Sequence, residues 1–361
     1  MGCGASASRV VPGGGSAVLD DAALPCDAKA LRTLVASVGG LAPHLRPSAW
    51  PVLLGAQANE EVRRAAQDAE FARLLAAATE PGTVSDEHVK VIDADVPRTD
   101  RSLDTWADDA SLAPLRDLLV AHLAYAPNVG YYQGMNDASA IFLATLSTTA
   151  DAFWAFEGWL RSTAANWVTQ LDGVWLQARG VMRVLEAADP RLAKRLASLS
   201  IVQEQPLPFL FAGARQHYAH EHTCPPALSA RHRVTRGIAL IRDPHSAIFL
   251  RLKREMRSYE ETRRLWEVSW AIGGSFELLA IAAHVLGHRK QIVRACRGRD
   301  GCAAVHKIFT DAAGTLEAAP LLAGARRLHR LPRVRAALED VNAELAGYQQ
   351  QLPEPSPGLG C

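Results

Sequence analysis

Residues 112–136 read LAPLRDLLVAHLAYAPNVGYYQGMN. Leu112, Leu115, Leu118, Leu119 and His122 recur at steps of three and four, the spacing of one helix face. Pro127 punctuates the end of that pattern. Gly130 and Gly134 then flank Tyr131 to Gln133, so the backbone there can bend sharply. The stretch predicts an apolar helix that runs into a tight polar loop.

The helical spacing continues outward. Leu265, Val268 and Trp270 predict a second helix, and Phe276, Leu279 and Ala280 a third. No alternating strand pattern holds for more than a few residues. The expected fold class is therefore all-α. A length of 361 residues suggests about two domains. Residues 1–28, rich in Gly, Ser and Ala, read as a flexible segment, and the three prolines from Pro353 onward read as a disordered tail. Residues 213–246 carry Pro225-Pro226, several histidines and many arginines, with no sustained apolar face. They read as a loop or an insertion, unusually long for a compact domain.

Composition excludes several classes. The chain is 48% hydrophobic, ample for a core, and its 39 basic residues against 38 acidic ones leave a charge of +1. Disorder throughout is excluded on that basis, and so is a nucleic-acid partner, because no net positive field exists to attract phosphates. Lysine supplies six of the 39 basic positions, Lys29, Lys90, Lys194, Lys253, Lys290 and Lys307. Arginine is thus a compositional habit of this chain, and a single arginine carries little functional weight without its neighbours.

No run reaches the roughly 18 to 20 apolar residues of a spanning helix. The first residues, Met-Gly-Cys-Gly-Ala-Ser, fit N-myristoylation at Gly2, with Cys3 beside it as a palmitoylation site. Two acyl chains would anchor the chain stably to a membrane. The six cysteines show no paired spacing, so no disulfide framework is expected. His217, His220, His222 and Cys224 are zinc-ligand types, but their spacing matches no common structural site, and no metal is expected.

Standard catalytic signatures are missing: no phosphate-binding loop, nucleophile elbow, zinc-protease pair or kinase set. Three other segments are more informative. They are Arg46-Pro-Ser-Ala-Trp-Pro-Val-Leu-Leu-Gly55, Ile92-Asp-Ala-Asp-Val-Pro-Arg-Thr99 and Val129-Gly-Tyr-Tyr-Gln-Gly-Met-Asn136. Pro97 disfavours helical backbone at Val96, which sets Arg98 at or after a chain break. An exposed arginine can offset charge on a transferring phosphoryl group, and a glutamine can orient the attacking water. Taken singly, Arg98 reads more readily as a surface ion-pair partner, for instance of Asp95, and Gln133 as a helix-capping or buried amide.

In this order, the three segments resemble the TBC domain of Rab GTPase-activating proteins. The family pattern Ile-x-x-Asp-x-x-Arg matches Ile92, Asp95 and Arg98, followed by Thr99. Tyr-x-Gln-Gly-Met matches Tyr131, Gln133, Gly134 and Met135. The opening motif matches Arg46, Trp50, Leu53, Leu54 and Gly55. Leu252-Lys-Arg-Glu-Met256 and Arg264-Leu-Trp-Glu-Val-Ser-Trp270 are similar to later helices of one branch of that family. The resemblance spans residues 33–330 and leaves 331–361 as a C-terminal helix and tail. Pro208-Phe-Leu-Phe211 looks like a segment that resumes at Ile248, with the irregular stretch inserted between.

The resemblance implies an all-α domain of two helical subdomains that activates a GTP-bound Rab GTPase in vesicle trafficking. It is an activator rather than an enzyme in its own right. Arg98 would be an arginine finger and Gln133 a glutamine finger. Ile92, Asp95, Thr99, Tyr131, Gly134 and Met135 would support them, with Asp95 holding Arg98 by a charge-assisted hydrogen bond. Arg46, Trp50, Leu54 and Gly55 would be structural, with Trp50 and Leu54 in the core. No cofactor of its own is implied, since Mg2+ and GTP come with the partner. The implied location is cytoplasmic, on the cytosolic face of membranes. The insertion leaves a second reading open, a catalytically weak or inactive Rab-binding scaffold.

Overall fold

The computed structural model describes residues 9–13, 16–21, 24–25, 27–55, 61–167, 172–199, 247–298 and 300–349. Gly2, Cys3, residues 213–246 with their histidine cluster, and the tail from 350 lie outside the described residues. Helices dominate what is described, as the sequence predicts. They are α1 (Ala28–Ser37), α2 (Arg46–Leu53), α3 (Glu61–Thr79), α4 (Asp86–Asp95), α5 (Ala113–Tyr125), α6 (Met135–Leu143), α7 (Thr149–Ser162), α8 (Asp172–Ala188) and α9 (Pro190–Leu199). Helices at Tyr259–Ile272, Phe276–Gly287, Arg289–Ala295, Gly301–Ala312, Ala318–His329 and Pro332–Gln349 follow.

The helix starts are set locally. Asp27 caps α1 by accepting from the Ala30 N–H at 2.7 Å, and Thr148 caps α7 by accepting from Asp151 at 3.0 Å. Ser85 caps α4, and Asp86 and Glu87 add negative charge to its first turn. Each cap supplies an acceptor to a backbone N–H that the helix leaves unpaired.

One departure lies in the segment read as flexible. Arg9–Gly13 and Ser16–Asp21 pair as an antiparallel hairpin, with Val10 opposite Leu19 and Val11 opposite Val18. Leu19 is fully buried, and its backbone bonds Gly40 and Ala42 at 3.1 and 2.8 Å. The apolar residues here are too few to show a strand period, and the pairing is completed by a segment about twenty positions away in the chain.

The chain divides into two units: residues 1–170 with Arg263–Gly273 and 346–361, and residues 171–262 with Gly274–Leu345. The first unit has an aromatic core. Trp50 meets Trp270 and Phe142 edge-on at 5.1 and 5.5 Å, and Trp159 stacks on Trp266 at 5.6 Å. Glu267 sits within this core, wholly buried. It accepts from Arg46 Nε at 2.7 Å, Trp50 Nε1 at 2.9 Å and the Leu41 N–H at 2.8 Å. Burial pushes the Glu267 carboxyl up, and Arg46 with the N–H donors opposes it.

The opening motif is therefore structural, with one correction. Leu53, not Leu54, is the buried leucine; Leu54 is half-buried. Its carbonyl lies where a side chain at Gly158 would go, 2.7 Å from an ideal Cβ, so α2 and α7 approach backbone to backbone.

In the second unit, Gly180 of α8 lets Val341 approach, and Gly324 does the same for Ala283. Arg251 is buried and reaches Gln177 Oε1 at 2.7 Å and Glu277 Oε1 at 2.8 Å. The stretch Leu252–Met256 was expected on a helix. It forms turns instead, with Arg251 and Leu252 at φ of 49° and 64°. Left-handed backbone at two consecutive residues cannot continue a right-handed helix. Arg264 to Trp270 do lie on a helix, Tyr259–Ile272, as expected.

Candidate functional site

All the residues of the second and third motifs lie in the first unit. The helix α4 ends at Asp95 and tightens into a 3-10 turn over Val96–Arg98. Val96 keeps helical angles, φ −53° and ψ −48°, although Pro97 was expected to exclude them. The break is one of helix type, not of direction. Proline is tolerated in the first turn of a helical segment, where its missing N–H leaves no bond unmade, and Thr99 closes the turn by bonding the Val96 carbonyl at 3.1 Å.

Arg98 leaves this turn with its side chain 69% exposed. Its Nε donates to the Ala94 carbonyl at 2.9 Å and its Nη2 to Asp95 Oδ1 at 2.8 Å. Nη1 has no protein partner among the described residues. The guanidinium is therefore aimed from one edge, while its other edge is open to solvent.

Asp95 is buried, and its second oxygen crosses to the other motif. The Tyr131 hydroxyl lies 2.9 Å from Asp95 Oδ2 and 3.0 Å from Asn136 Oδ1, sharing its proton between them. Asn136 Oδ1 also accepts from the Gly134 N–H at 3.1 Å, and Asn136 Nδ2 donates to Thr99 Oγ1 at 2.8 Å. Thr99 Oγ1 in turn donates to the Asp95 carbonyl at 3.2 Å. Four side chains, closed by the Asp95 carbonyl, thus form one polar circuit between the arginine turn and the glutamine loop. Burial pushes the Asp95 carboxyl up, against the Tyr131 hydrogen bond and the Arg98 charge. Tyr131 is also pushed up, by burial first and then by the neighbouring Asp95 carboxylate.

Gln133 stands at the tip of the loop, half-buried, with no side-chain hydrogen bond to any described residue. Both glycines that flank it adopt positive φ, 69° at Gly130 and 103° at Gly134. Gly130 also lies against the His88 ring, whose Cε1 would stand 2.2 Å from an ideal Cβ, so any side chain there must displace that ring. Ile92 and Met135 are fully buried and hold the two loops from below.

Sequence reasoning missed three participants. Asn136 ends the quoted motif but was assigned no role; a buried amide opening an apolar helix was the available signal. His122 was read only as one position on a helix face. Glu157, thirty-five positions further on, accepts from it at 2.7 Å, and nothing local announces that pair. Among the described residues no cluster of His, Cys, Asp or Glu could hold a metal ion, and no helix is long and apolar enough to cross a membrane.

Fold and site together define an all-helical protein that offers an exposed arginine and an unpaired glutamine from two hydrogen-bonded loops. Residues 43–212, a little under half of the chain, match the Rab-GTPase-TBC domain model. Human TBC1 domain family member 17 is 29% identical over 179 residues, 44% of this chain and 27% of that relative. Rab GTPase-activating protein 22 of Arabidopsis thaliana is 26% identical over 159 residues, again 44% of this chain and 22% of the relative. The chain thus spans a minor part of the length of these relatives. Among solved structures, the Ypt/Rab-GAP domain of Gyp1p superposes with a TM-score of 0.60 at 14% identity, covering 91% of this chain and 95% of that one. The Chlamydomonas flagellar RabGAP TBC domain gives 0.56 at 16% identity, covering 84% and 85%. At such identities the likeness is one of fold.

Proposed function

We propose that this chain accelerates GTP hydrolysis by a Rab-family GTPase, with Arg98 and Gln133 supplied in trans. The observation that carries the reading is the circuit through Asp95, Tyr131, Asn136 and Thr99. It ties the turn that bears an exposed guanidinium to the loop that bears an unpaired amide, though the two residues lie thirty-five positions apart in sequence. Phosphoryl transfer needs little covalent help from a protein and responds mainly to positioning and charge stabilisation. The open edge of Arg98 suits the charge that develops on the equatorial phosphoryl oxygens. The Gln133 amide offers both an acceptor and a donor, which suits a water held in line with the phosphorus. Magnesium and GTP arrive with the GTPase in this reading, and the chain brings no cofactor of its own.

The test is single-turnover GTP hydrolysis by a panel of GTP-loaded Rab proteins. Acceleration by the chain should fall by about 10³-fold or more in Arg98→Ala, the scale of an arginine finger. Gln133→Ala should also fall steeply, while Rab binding persists in both. Undiminished acceleration in both variants would sink the two-finger reading.

A further inference from the structure

His122 lies in the last turn of α5 and is enclosed on all sides. Its Nδ1 is 2.7 Å from Glu157 Oε1, and its Nε2 is 3.1 Å from the carbonyl oxygen of Gly130. A carboxylate and a carbonyl are both acceptors. An imidazole can donate from both nitrogens only as the doubly protonated cation. A neutral ring has one N–H and must turn a lone pair toward one of those two oxygens. The carbonyl end of α5 adds a further preference for positive charge at this position.

Gly130 opens the glutamine loop. Other side chains hold the loop at three places: the Gly130 carbonyl by His122, the Tyr131 hydroxyl by Asp95, and the Gly134 N–H by Asn136; the Gly130 N–H also bonds the Ala126 carbonyl at 3.1 Å, so the imidazole sets the carbonyl side of that residue. Only the first of these pins carries an imidazole. We infer that His122 is a positioning residue for Gln133: as an imidazolium it bridges Glu157 to the Gly130 carbonyl, and losing one proton releases that carbonyl and loosens the start of the loop. This inference rests on the function proposed above.

Of the charged groups around the ring, Glu157 is the one that favours its cationic form. From α7 come Glu157 and Arg161, with Arg161 also bonded to Tyr125 on α5 itself. Glu70 of α3 acts on Tyr125. On α4, His88 lies against Gly130, and Asp93 is paired with Arg116 of α5. Asp109, ahead of α5, pairs with Arg101, and Asp137 of α6 acts on Asp95 and Tyr131. Burial by itself pulls His122 down. The Glu157 charge, its hydrogen bond and the Gly130 carbonyl outweigh burial and hold the ring above its ordinary 6.5. The sign follows: the bridge is at full strength below 6.5 and is lost as pH rises through the higher folded value.

The experiment is a pH profile of Rab GTP hydrolysis with the full chain, corrected for the intrinsic rate of the same Rab. The wild-type chain should lose kcat on the alkaline side with little change in KM. Glu157→Gln should level the profile, because a neutral ring can then donate to Gly130 and accept from the new amide. His122→Phe should lower kcat roughly tenfold or more on the acid side, where the wild-type ring is charged, and should approach the wild type on the alkaline side, since slight misplacement of a positioned group costs up to about 10²-fold. Identical profiles for the wild type and Glu157→Gln, or unchanged acid-side kcat in a folded His122→Phe, would overturn the inference. If no Rab responds to the wild-type chain, the proposed function fails, and the inference is judged on the free protein. There the ring ¹⁵N signals of His122 should show protons on both nitrogens at about pH 6, below the ordinary value for a histidine. Loss of the second proton should move the Gly130 to Gln133 amide signals. A singly protonated ring at about pH 6, or loop signals indifferent to that titration, would overturn it.

Discussion

Arg98 and Asp95 could be read from sequence either as a surface ion pair or as a held finger, and the geometry shows why the two are compatible. The pair exists at 2.8 Å, but one partner is buried at 6% exposure and the other is 69% exposed. A pair of that shape fixes one edge of the guanidinium and leaves the other free. The buried end is held by Tyr131. Tyr131→Phe removes the hydroxyl that faces both Asp95 and Asn136, leaving two buried acceptors short of a donor. The expected outcome is a loss of about 1 to 3 kcal/mol in stability, read by urea titration, together with a fall in kcat of Rab hydrolysis larger than any rise in KM. A kcat equal to wild type would mean that the circuit is structural only. At this scale the motif residues were legible because they sit within eight positions of one another. The His122 and Glu157 pair was not, because its partners come from separate helices, and neither was the bond from Asn136 to Thr99.

At the scale of elements, α5 and the loop behind it were readable almost completely. The leucine spacing gave the helix, and the buried residues Leu115, Leu118, Leu119 and His122 lie on it as expected. The paired glycines marked the bend, and both take left-handed angles. What periodicity could not supply was that the ring of His88 on α4 packs against Gly130 where a side chain would go. Gly130→Ala combines positive φ with a 2.2 Å overlap against that ring. It should displace the loop and lower kcat by about 10-fold or more, while circular dichroism stays helical. The double variant with His88→Ala should recover part of the rate by clearing the overlap, though not the backbone strain. The turns at Leu252–Met256 are the opposite case. A helix-like string became irregular because two residues hold positive φ, an outcome that no local propensity predicts for Arg and Leu.

At the scale of the whole chain, the first unit is fastened by contacts between its start and a segment more than two hundred positions later. Glu267 receives Arg46, Trp50 and the Leu41 N–H, so a late helix closes the fold that the early motif begins. Arg46→Ala would leave a buried carboxylate without its counter-charge. The expected cost is about 3 to 5 kcal/mol, measured by denaturant unfolding, with a lowered midpoint for the whole unit. Arg46→Met paired with Glu267→Leu should cost less than either single change, because no charge is then stranded. A single change costing under about 1 kcal/mol would show that Glu267 is satisfied without the arginine.

The sequence by itself determined the all-helical class, the two motif loops and their residues. Those features depend on periodicity, on glycine and proline backbone limits, and on short fixed spacings, all of which act within a few residues. Tertiary structure alone decided that Asp95, Tyr131, Asn136 and Thr99 form one circuit, that Leu53 rather than Leu54 enters the core, and that His122 meets both Glu157 and the Gly130 carbonyl. Those are hydrogen bonds and packing contacts between separate elements. Their energies depend on burial and on distances of about 3 Å, and no spacing along the chain encodes either.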